Sequence, residues 1–279
     1  MKPTPYELTI SPPHHATACD VLAAHTGLSK TRIKQAMNKG AVWHQRPKTK
    51  LRRLRKATAT VKPGDRLLLY YDPAILSLTP TDASCQLDMQ HYSIWLKPAG
   101  LMTQGTRYGD HCALSRQVER HFKMKREALL VHRIDREAAG LVIIAHSRTA
   151  AAKLSAMLRE NRISKRYAIW VLGDLTGHAT DGRIEFDIDD KRAVTHYKTV
   201  RYDRGRNQTL AHVQIGTGRL HQIRRHFAQI GFPVMGDPRY GLGNKCPGGL
   251  RLVAFSIAMD CPFGNGRIET TIDIERFET

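Results

Sequence analysis

The chain has 279 residues, of which 41% are hydrophobic and 25% charged, the balance of a globular protein in water. No apolar run approaches the roughly 20 residues that a membrane-spanning helix needs, and five cysteines without a CxxC pair argue against a disulfide framework and a structural zinc site. The formal net charge of +19 predicts a polyanionic partner, most commonly a nucleic acid. A membrane surface competes as the partner, but no basic amphipathic helix with a bulky apolar face is present. Since residues 1–10 lack the apolar core of a secretory signal, we expect a cytoplasmic protein.

Residues 1–72 are predicted to form a small basic unit. A first helix, TACDVLAAHTG, ends at Gly27, and Ser29 is the N-cap of a second helix, KTRIKQAMNKG, which stops at Gly40. The extended piece AVWH, the basic tract RPKTKLRRLRK, a turn at residues 63–65 and a strand follow. The unit has 14 Lys and Arg against four Asp and Glu, so it carries 10 of the 19 net charges. Charge concentrated in this way indicates a binding surface, although a solvated charged loop is the alternative for the basic tract.

Several of these pieces resemble the S4 RNA-binding domain. The residues that carry the match are Ser29, Arg32, Ile33 and Lys34, then residues 40–42 and residues 61–69. The chain departs from that family in the insert RPKTKLRRLRKAT, where a tighter turn is usual. The resemblance implies phosphate contacts from basic side chains of this unit, namely Arg32, Lys34, Arg52, Arg53 and Arg55.

A larger domain is predicted at residues 91–279, after a linker at 73–90 that is rich in Pro, Ser, Thr and Asp. In it HYSIWLK, LVIIAHS and RISKRYAIWVLG are predicted strands, the stretch 182–216 is β-rich, and two more strands close the chain. Helices are predicted at residues 111–123, over RTAAAKLSAMLRE and over GRLHQIRRHFAQIG. The pattern indicates an α+β class, a mixed and largely antiparallel β-sheet with flanking helices beside the small N-terminal α/β unit.

Two stretches of this domain place polar side chains beside apolar ones. VHRIDREAAG, at residues 131–140, holds a single carboxylate, Asp135, between two arginines and directly before the apolar run LVIIA. SKRYAIW places Lys165 and Tyr167 on one face of a strand, because side chains alternate along a strand.

A third stretch, TGRLHQIRRHFAQIG, has an apolar stripe at helical spacing. The stripe is predicted to pack on the sheet and consists of Leu220, Ile223, Phe227 and Ile230. Arg224 lies beside it, whereas Arg225 and His226 are predicted to point elsewhere. A partly buried guanidinium needs a carboxylate, and Asp135 is the natural partner. An ionised carboxylate held in this way is a poor general base but a competent nucleophile or oxocarbenium stabiliser. A purely structural ion pair explains the spacing equally well.

Together and in this order, the three stretches resemble the RluA family of pseudouridine synthases. That family's pattern runs HRLD-x-x-T-S-G-L, then K-x-Y-A, then G-R-x-H-Q-I-R-x-H and G-D-x-x-Y-G, after a K-P-x-G turn. The matching residues are His132-Arg133-Ile134-Asp135 with Gly140-Leu141, then residues 165–168, 218–226 and 236–241, with the turn at 97–100. The resemblance covers about residues 90–279.

The resemblance implies an enzyme that converts a uridine within RNA to pseudouridine without a cofactor. Asp135 matches the catalytic aspartate, which would attack C1′ or assist loss of the 2′ proton. Tyr167 matches the active-site tyrosine, which would stack on the uracil or help to remove the C5 proton. Arg224 matches the arginine that pairs with the aspartate. Arg133 would help to hold the target nucleotide out of the RNA helix, and further RNA contacts are expected from Arg136, Lys165 and Arg219.

The histidines show no ligand spacing, so no metal ion is expected, and His132 and His221 are interpreted as structural hydrogen-bonding residues. Two positions depart from the family pattern: Ala138-Ala139 replaces Thr-Ser, and Val253 replaces a histidine. Both touch supporting positions and indicate a divergent subgroup.

Two other function classes stay open. One is a non-catalytic RNA-binding or ribosome-assembly factor on a synthase scaffold, and the other is a hydrolase that acts on nucleosides. For the enzyme we expect a monomer that acts on ribosomal RNA, which the S4-like unit favours over transfer RNA.

Overall fold

The computed structural model describes residues 5–11, 16–264 and 266–277, so parts of the predicted N-terminal unit (1–4 and 12–15) lie outside the described residues. The chain divides into two compact units. The first contains Met1–Thr81 and Gln104–Arg120, and the second contains Asp82–Thr103 and His121–Thr279. The division therefore differs from the predicted boundaries, because the chain returns to the first unit at residues 104–120.

The first unit combines short helices with an antiparallel sheet. Its described elements are β1 (Tyr6–Thr9), α1 (Ala18–Thr26), α2 (Lys30–Asn38), β2 (Val42–Gln45), β3 (Arg52–Arg53), β4 (Arg66–Leu69) and α3 (Pro73–Ser77), with the strand order β1-β4-β2-β3. The two predicted helices are confirmed. The hydroxyl of Ser29 accepts the N–H of Arg32 at the start of α2, and Gly27 ends α1 in the left-handed conformation, with φ of 70°.

Contacts from the basic tract explain why residues 104–120 belong to this unit. Arg53 and Arg55 both contact the carboxylate of Asp110, with 3.3 Å between Arg53 Nε and Oδ2. Trp43 Nε1 donates to the carbonyl of Arg107 at 3.0 Å. A carboxylate shared by two arginines is a stronger tie than an isolated surface pair.

The second unit is built on one large sheet, in which the described residues form ten strands. Its elements are β5 (Ser84–Asp88), β6 (Tyr92–Lys97), β7 (Leu129–Leu130), β8 (Ala139–Ala145), α5 (Arg148–Arg159), β9 (Ile163–Leu172), β10 (Asp181–Glu185), β11 (Val194–Asp203), β12 (Gln208–Ile215), α6 (Gln222–Gln229), β13 (Leu252–Asp260) and β14 (Arg267–Thr271), and α4 (Leu114–His121) spans the boundary with the first unit. The order is β10-β11-β12-β9-β13-β8-β6-β5, with β14 on β13 and β7 on β8. Among the described pairs, β8 and β13 run parallel and the rest are antiparallel, which confirms the predicted fold class. The predicted linker contains α3 and β5, which pairs with β6.

The strand that follows the Asp135 loop is fixed by an unusually close approach of two backbones. β8 is buried along its whole length. Gly140, near its start, has φ of +125°, and a Cβ at that position would lie 2.4 Å from both N and O of Ala254 on β13. Only glycine fits there. The sheet thereby fixes where the preceding loop ends.

The predicted apolar stripe of the third stretch is corrected at its first residue. Ile223 and Phe227 are buried as expected, but Leu220 is 55% exposed. The reason is that α6 begins only at Gln222, so Leu220 precedes the helix. His226, predicted to point away, is fully buried, and its Nε2 lies 3.2 Å from the carbonyl of Phe186.

Candidate active site

Asp135 lies in the loop between β7 and β8, at the wall of a cavity of about 770 Å³. The other walls come from the second half of α5, from β9 and from the loop before α6. The charged side chains among the described lining residues are Arg133, Asp135, Arg159, Lys165 and Arg219. Four cations surround one carboxylate, so the cavity suits an anionic ligand.

Arg224 connects Asp135 to a second carboxylate. Its guanidinium is 1% exposed, and Nη1 donates to Asp135 Oδ2 at 2.9 Å. Nε and Nη2 donate to both oxygens of Asp237, at 2.7 and 2.8 Å. Asp237 also accepts the backbone N–H groups of Arg239 and Tyr240. Burial acts to raise the pKa of Asp237, but these hydrogen bonds outweigh it and hold the pKa below its ordinary value.

The predicted ion pair between Asp135 and Arg224 is therefore present. The second carboxylate that contacts Arg224, Asp237, was not predicted. Burial alone would lower the pKa of Arg224, but the two carboxylates raise it above its ordinary value. The motif G-D-x-x-Y-G marked Asp237 in the sequence without indicating a role.

His221 lies on the other side of Asp135. Its backbone is left-handed, with φ of 53°, which is strained for a residue other than glycine or asparagine. Nδ1 lies 3.0 Å from Tyr240 Oη, and Nε2 lies 3.7 Å from Asp135 Oδ1. Burial lowers the pKa of His221 below its ordinary value, and Asp135 opposes that shift. The imidazole is therefore neutral at pH 7.

Tyr167 is buried in β9 and lines the same cavity. Burial raises the pKa of its phenol, and the nearby charge of Asp135 raises it further. The phenol therefore stays protonated at neutral pH. It can pack against a base or donate a hydrogen bond, but it is a poor proton acceptor.

Lys97 contacts the backbone of the loop that contains Asp135. It is fully buried, and its Nζ lies within hydrogen-bond distance of four carbonyl oxygens, those of Pro98 (2.9 Å), Leu101 (2.7 Å), Arg136 (3.3 Å) and Ala138 (2.7 Å). Burial lowers the pKa of Lys97 to about 7, against the opposing charges of Asp135 and Glu137. The turn motif K-P-x-G marked this lysine in the sequence, but its contact with the loop follows only from the fold.

His132 fixes the start of the same loop. Its Nε2 accepts the backbone N–H of Ile143 on β8 at 3.0 Å, which requires a neutral ring. Burial lowers the pKa of His132 to about 3, and Lys165 lowers it further. The side chain therefore acts as a hydrogen-bonding support, the role expected from the sequence.

The predicted RNA-binding residues fall into two groups. In the second unit, Arg133, Lys165 and Arg219 line the cavity with Asp135, whereas Arg136 is exposed and lies 3.8 Å from Glu137. In the first unit, Arg32, Lys34 and Arg52 are exposed, but Arg53 and Arg55 are committed to Asp110 and to backbone carbonyls.

The two departures from the family pattern lie side by side. Ala139 on β8 is opposite Val253 on β13, and both are buried in the core of the second unit. Ala138 is fully buried as well. Apolar side chains at these positions pack together, and the supporting contacts of the Asp135 loop come instead from Lys97 and His132.

Within the described residues, no group of three or more His, Cys, Asp or Glu side chains is arranged to hold a metal ion. In the same part of the chain, the helices are too short or too polar to cross a membrane.

Comparison with known proteins identifies several relatives of this chain. Residues 91–229 match the family model of RNA pseudouridylate synthases. An uncharacterized RNA pseudouridine synthase of Bacillus subtilis is 30% identical over 210 residues, covering 67% of this chain and 68% of its own. Another from Zymomonas mobilis is 31% identical over 162 residues, 52% of this chain and 72% of the relative. A ribosomal large subunit pseudouridine synthase D of Pseudomonas aeruginosa is 37% identical over 123 residues, 40% of this chain and 38% of the relative.

Solved structures show the same fold. The human RNA pseudouridylate synthase domain containing 1 superimposes with a TM-score of 0.59 at 18% identity, over 71% of this chain and 87% of that one. The human RNA pseudouridylate synthase domain containing 4 superimposes with a TM-score of 0.55 at 19% identity, over 70% of this chain and 89% of that one. With its three motifs gathered around one cavity, the chain belongs to the RluA family of RNA pseudouridine synthases, the isomerases that convert uridine in RNA to pseudouridine.

Proposed function

We propose that this enzyme isomerises specific uridines in ribosomal RNA and that Asp135 is its essential catalytic carboxylate. The observation that carries the proposal is the Asp135–Arg224 pair, at 2.9 Å, in the wall of a cavity with a cationic lining. A purely structural ion pair has no need of such a cavity.

The orientation of the carboxylate supports a role at C1′. Arg224 engages Oδ2, while Oδ1 makes no hydrogen bond within the described residues. Oδ1 is therefore the oxygen that either attacks C1′ or stabilises positive charge there as the N1–C1′ bond breaks. The protonated phenol of Tyr167 favours packing against the uracil over removal of a proton.

The target nucleotide must leave its stack before it can reach Asp135, at a cost of a few kcal/mol. Arg133, Lys165 and Arg219 at the cavity can offset this cost by contacts with the neighbouring phosphates. In the S4-like first unit we assign RNA contacts to the exposed residues Arg32, Lys34 and Arg52, and a structural role to Arg53 and Arg55.

Ribosomal RNA is the proposed substrate because the ribosomal synthase of Pseudomonas aeruginosa shares 37% identity over its matched segment. Transfer RNA is the alternative substrate. The experiment that separates them is chemical mapping of pseudouridine in both RNA classes, from cells with and without this gene.

Catalysis by Asp135 is tested with Asp135→Asn on RNA from the deletion strain. Asp260→Asn, an exposed carboxylate on β13, is the matched control. We expect wild type and Asp260→Asn to form pseudouridine and Asp135→Asn to bind RNA without forming it. If no RNA is modified by the wild type, the chain is a binding protein on a synthase scaffold. Free uracil and abasic RNA as products would indicate a hydrolase.

A further inference from the structure

The isomerisation includes the loss of a proton from C5 of the uracil, and this step needs a base. Once C5 of the uracil has bonded to C1′, the proton on C5 must leave so that the ring recovers its double bond. We propose that Nε2 of His221 takes this proton, which makes His221 a second catalytic residue. The proposal rests on the proposed function and goes beyond it, since His221 was interpreted from the sequence as structural.

The chemistry of the other side chains leaves this task to His221. A smaller pocket beside Asp135 has Arg133, Tyr167, Arg219 and Arg224 in its described lining. Arginine does not give up its proton in proteins, so it cannot act as a base. The phenol of Tyr167 is already protonated, and carboxylates are weak bases. In the main cavity, Nε2 of His132 already accepts the N–H of Ile143, and Lys165 is a cation. Among the described side chains that line the two spaces, the neutral imidazole of His221 is the remaining proton acceptor.

The geometry presents the correct nitrogen to the cavity. Nδ1 of His221 lies 3.0 Å from Tyr240 Oη, whereas Nε2 makes no hydrogen bond within the described residues. When Nδ1 donates to Tyr240, the lone pair of Nε2 faces the cavity, 3.7 Å from Asp135 Oδ1. A distance of 3.7 Å is too long for a hydrogen bond, so Nε2 and Oδ1 can both act as acceptors toward the same bound group. The contact of Nδ1 with Tyr240 Oη holds the ring in this direction.

The surrounding charges suit a base that becomes cationic for a moment. Burial, Arg224 and Arg239 keep the imidazole neutral before the reaction, and Asp135 and Glu137 favour the imidazolium once it forms. Asp135 therefore faces a neutral ring while it acts at C1′ and a cationic ring after the proton has moved.

The step balances without a further reactant. The C5–H bond breaks, its electron pair forms the C5–C6 double bond, and the proton moves to Nε2. At the same time the C6–N1 double bond opens and its electron pair moves to N1, which then receives a proton from the imidazolium. The uracil ring has lost one proton at C5 and gained one at N1, and His221 returns to its neutral form.

The test compares wild type with His221→Asn on transcripts of large-subunit ribosomal RNA made with either ordinary or 5-deuterated uridine. Asparagine tolerates the left-handed backbone and keeps a polar group near the position of Nδ1, but it lacks Nε2. We expect a single-turnover rate about 100-fold lower or more and a primary deuterium isotope effect larger than that of wild type, because proton removal becomes rate-limiting. RNA affinity should not change.

The pH profile gives a second readout. Because the pKa of His221 lies below its ordinary value, wild type should keep its rate on mild acidification and lose it as the imidazole protonates. His221→Asn should lack this acid limb. In His221→Gly, where the backbone remains compatible, added imidazole should restore part of the rate.

The control is His196→Asn, an exposed histidine on β11, which should behave as wild type. A wild-type rate and isotope effect in His221→Asn would overturn the inference, as would a slow variant whose isotope effect and acid limb are unchanged. Neither result bears on the proposed function, because wild type forms pseudouridine in both cases. The proposed function is tested separately, by the mapping of ribosomal RNA and by Asp135→Asn.

Discussion

Arg224 is the positive charge that pairs with two carboxylates of the site, Asp135 and Asp237. It is the buried cation between two carboxylates, that of Asp135 in the loop before β8 and that of Asp237 in the segment after α6. Such a residue is costly to remove, because it leaves charges with no partner in a region of low dielectric.

Arg224→Ala should therefore reduce the free energy of unfolding by about 3–5 kcal/mol and abolish pseudouridine formation. Thermal unfolding and an RNA modification assay measure the two effects. The neighbouring Arg225 is the control, because its pair with Asp189 is exposed and Arg225→Ala should cost less than about 1 kcal/mol. Near-normal turnover in Arg224→Ala would remove the ion-pair argument.

Much of this site was predictable at the level of residues. Asp135, Tyr167 and Arg224 stand in motifs that resemble those of the RluA family. The contact of Arg224 with Asp135 was expected because a partly buried guanidinium needs a carboxylate. The second carboxylate, Asp237, and the direction of His221 depend on loop conformations. A sequence pattern gives helix and strand periodicity but not the path of a loop, so these two roles could not be read from it.

The loop at residues 131–138 is held by the elements around it more than by its own sequence. Lys97 at the end of β6 binds two of its carbonyls, and Thr103 Oγ1 donates to the carbonyl of Ile134 at 2.8 Å. His132 joins the loop to β8. Several independent ties allow the loop to keep its shape with alanines at positions 138 and 139.

Lys97→Met should destabilise the protein by about 3 kcal/mol or more, because buried carbonyls lose their donor and the apolar side chain cannot replace it. The rate of pseudouridine formation should fall with little change in RNA affinity, since the lysine positions the loop and does not line the cavity. Lys198→Met, at an exposed position of β11, is the control for both measurements. Equal stability of the two variants would contradict the role assigned to Lys97.

Gly140→Ala tests the close contact of β8 with β13. The added Cβ would meet backbone atoms at 2.4 Å and impose a strained φ. We expect a loss of about 3 kcal/mol in the free energy of unfolding. Gly177→Ala, where nothing lies within 4 Å of the added Cβ, should be nearly neutral. Tolerance of Gly140→Ala at wild-type stability would mean that the two strands can separate.

The elements themselves followed closely from the sequence. The caps of the first two helices, the buried strand after Asp135 and the long helix at residues 148–159 were all identified by local pattern. Residues 104–120 were not, because their place depends on contacts of Arg53 and Arg55 with Asp110, which lies about 55 positions away. The start of α6 was predicted too early, since Leu220 fits the apolar period but lies before the helix begins.

At the scale of the whole molecule, the net charge of +19 attracts RNA over a longer range than any single contact does. Removing residues 1–72 would test its role poorly, because residues 104–120 would lose the partners that hold them. Substitution of exposed side chains leaves the fold intact and is the sharper experiment.

The triple variant Arg32→Gln, Lys34→Gln and Arg52→Gln should weaken RNA binding and flatten its dependence on salt. For every phosphate that the protein no longer neutralises, the slope of log K against log salt becomes shallower by a little under one. A control of equal charge, with Lys191, Lys198 and Arg204 changed to Gln, should leave the slope close to that of wild type. Equal slopes for the two variants would mean that the salt dependence of RNA binding reflects the overall charge and not contacts made by Arg32, Lys34 and Arg52.

The double engagement of Arg224 has a consequence for how this scaffold can evolve. Because Asp237 alone occupies two of the guanidinium nitrogens, a chain that loses the carboxylate of Asp135 still keeps that arginine neutralised and the fold intact. With the proposed role of Asp135, one nucleotide change from an aspartate to an asparagine codon is expected to give a protein that binds RNA without forming pseudouridine. A catalyst and a non-catalytic RNA-binding protein on this scaffold would then differ by a single substitution.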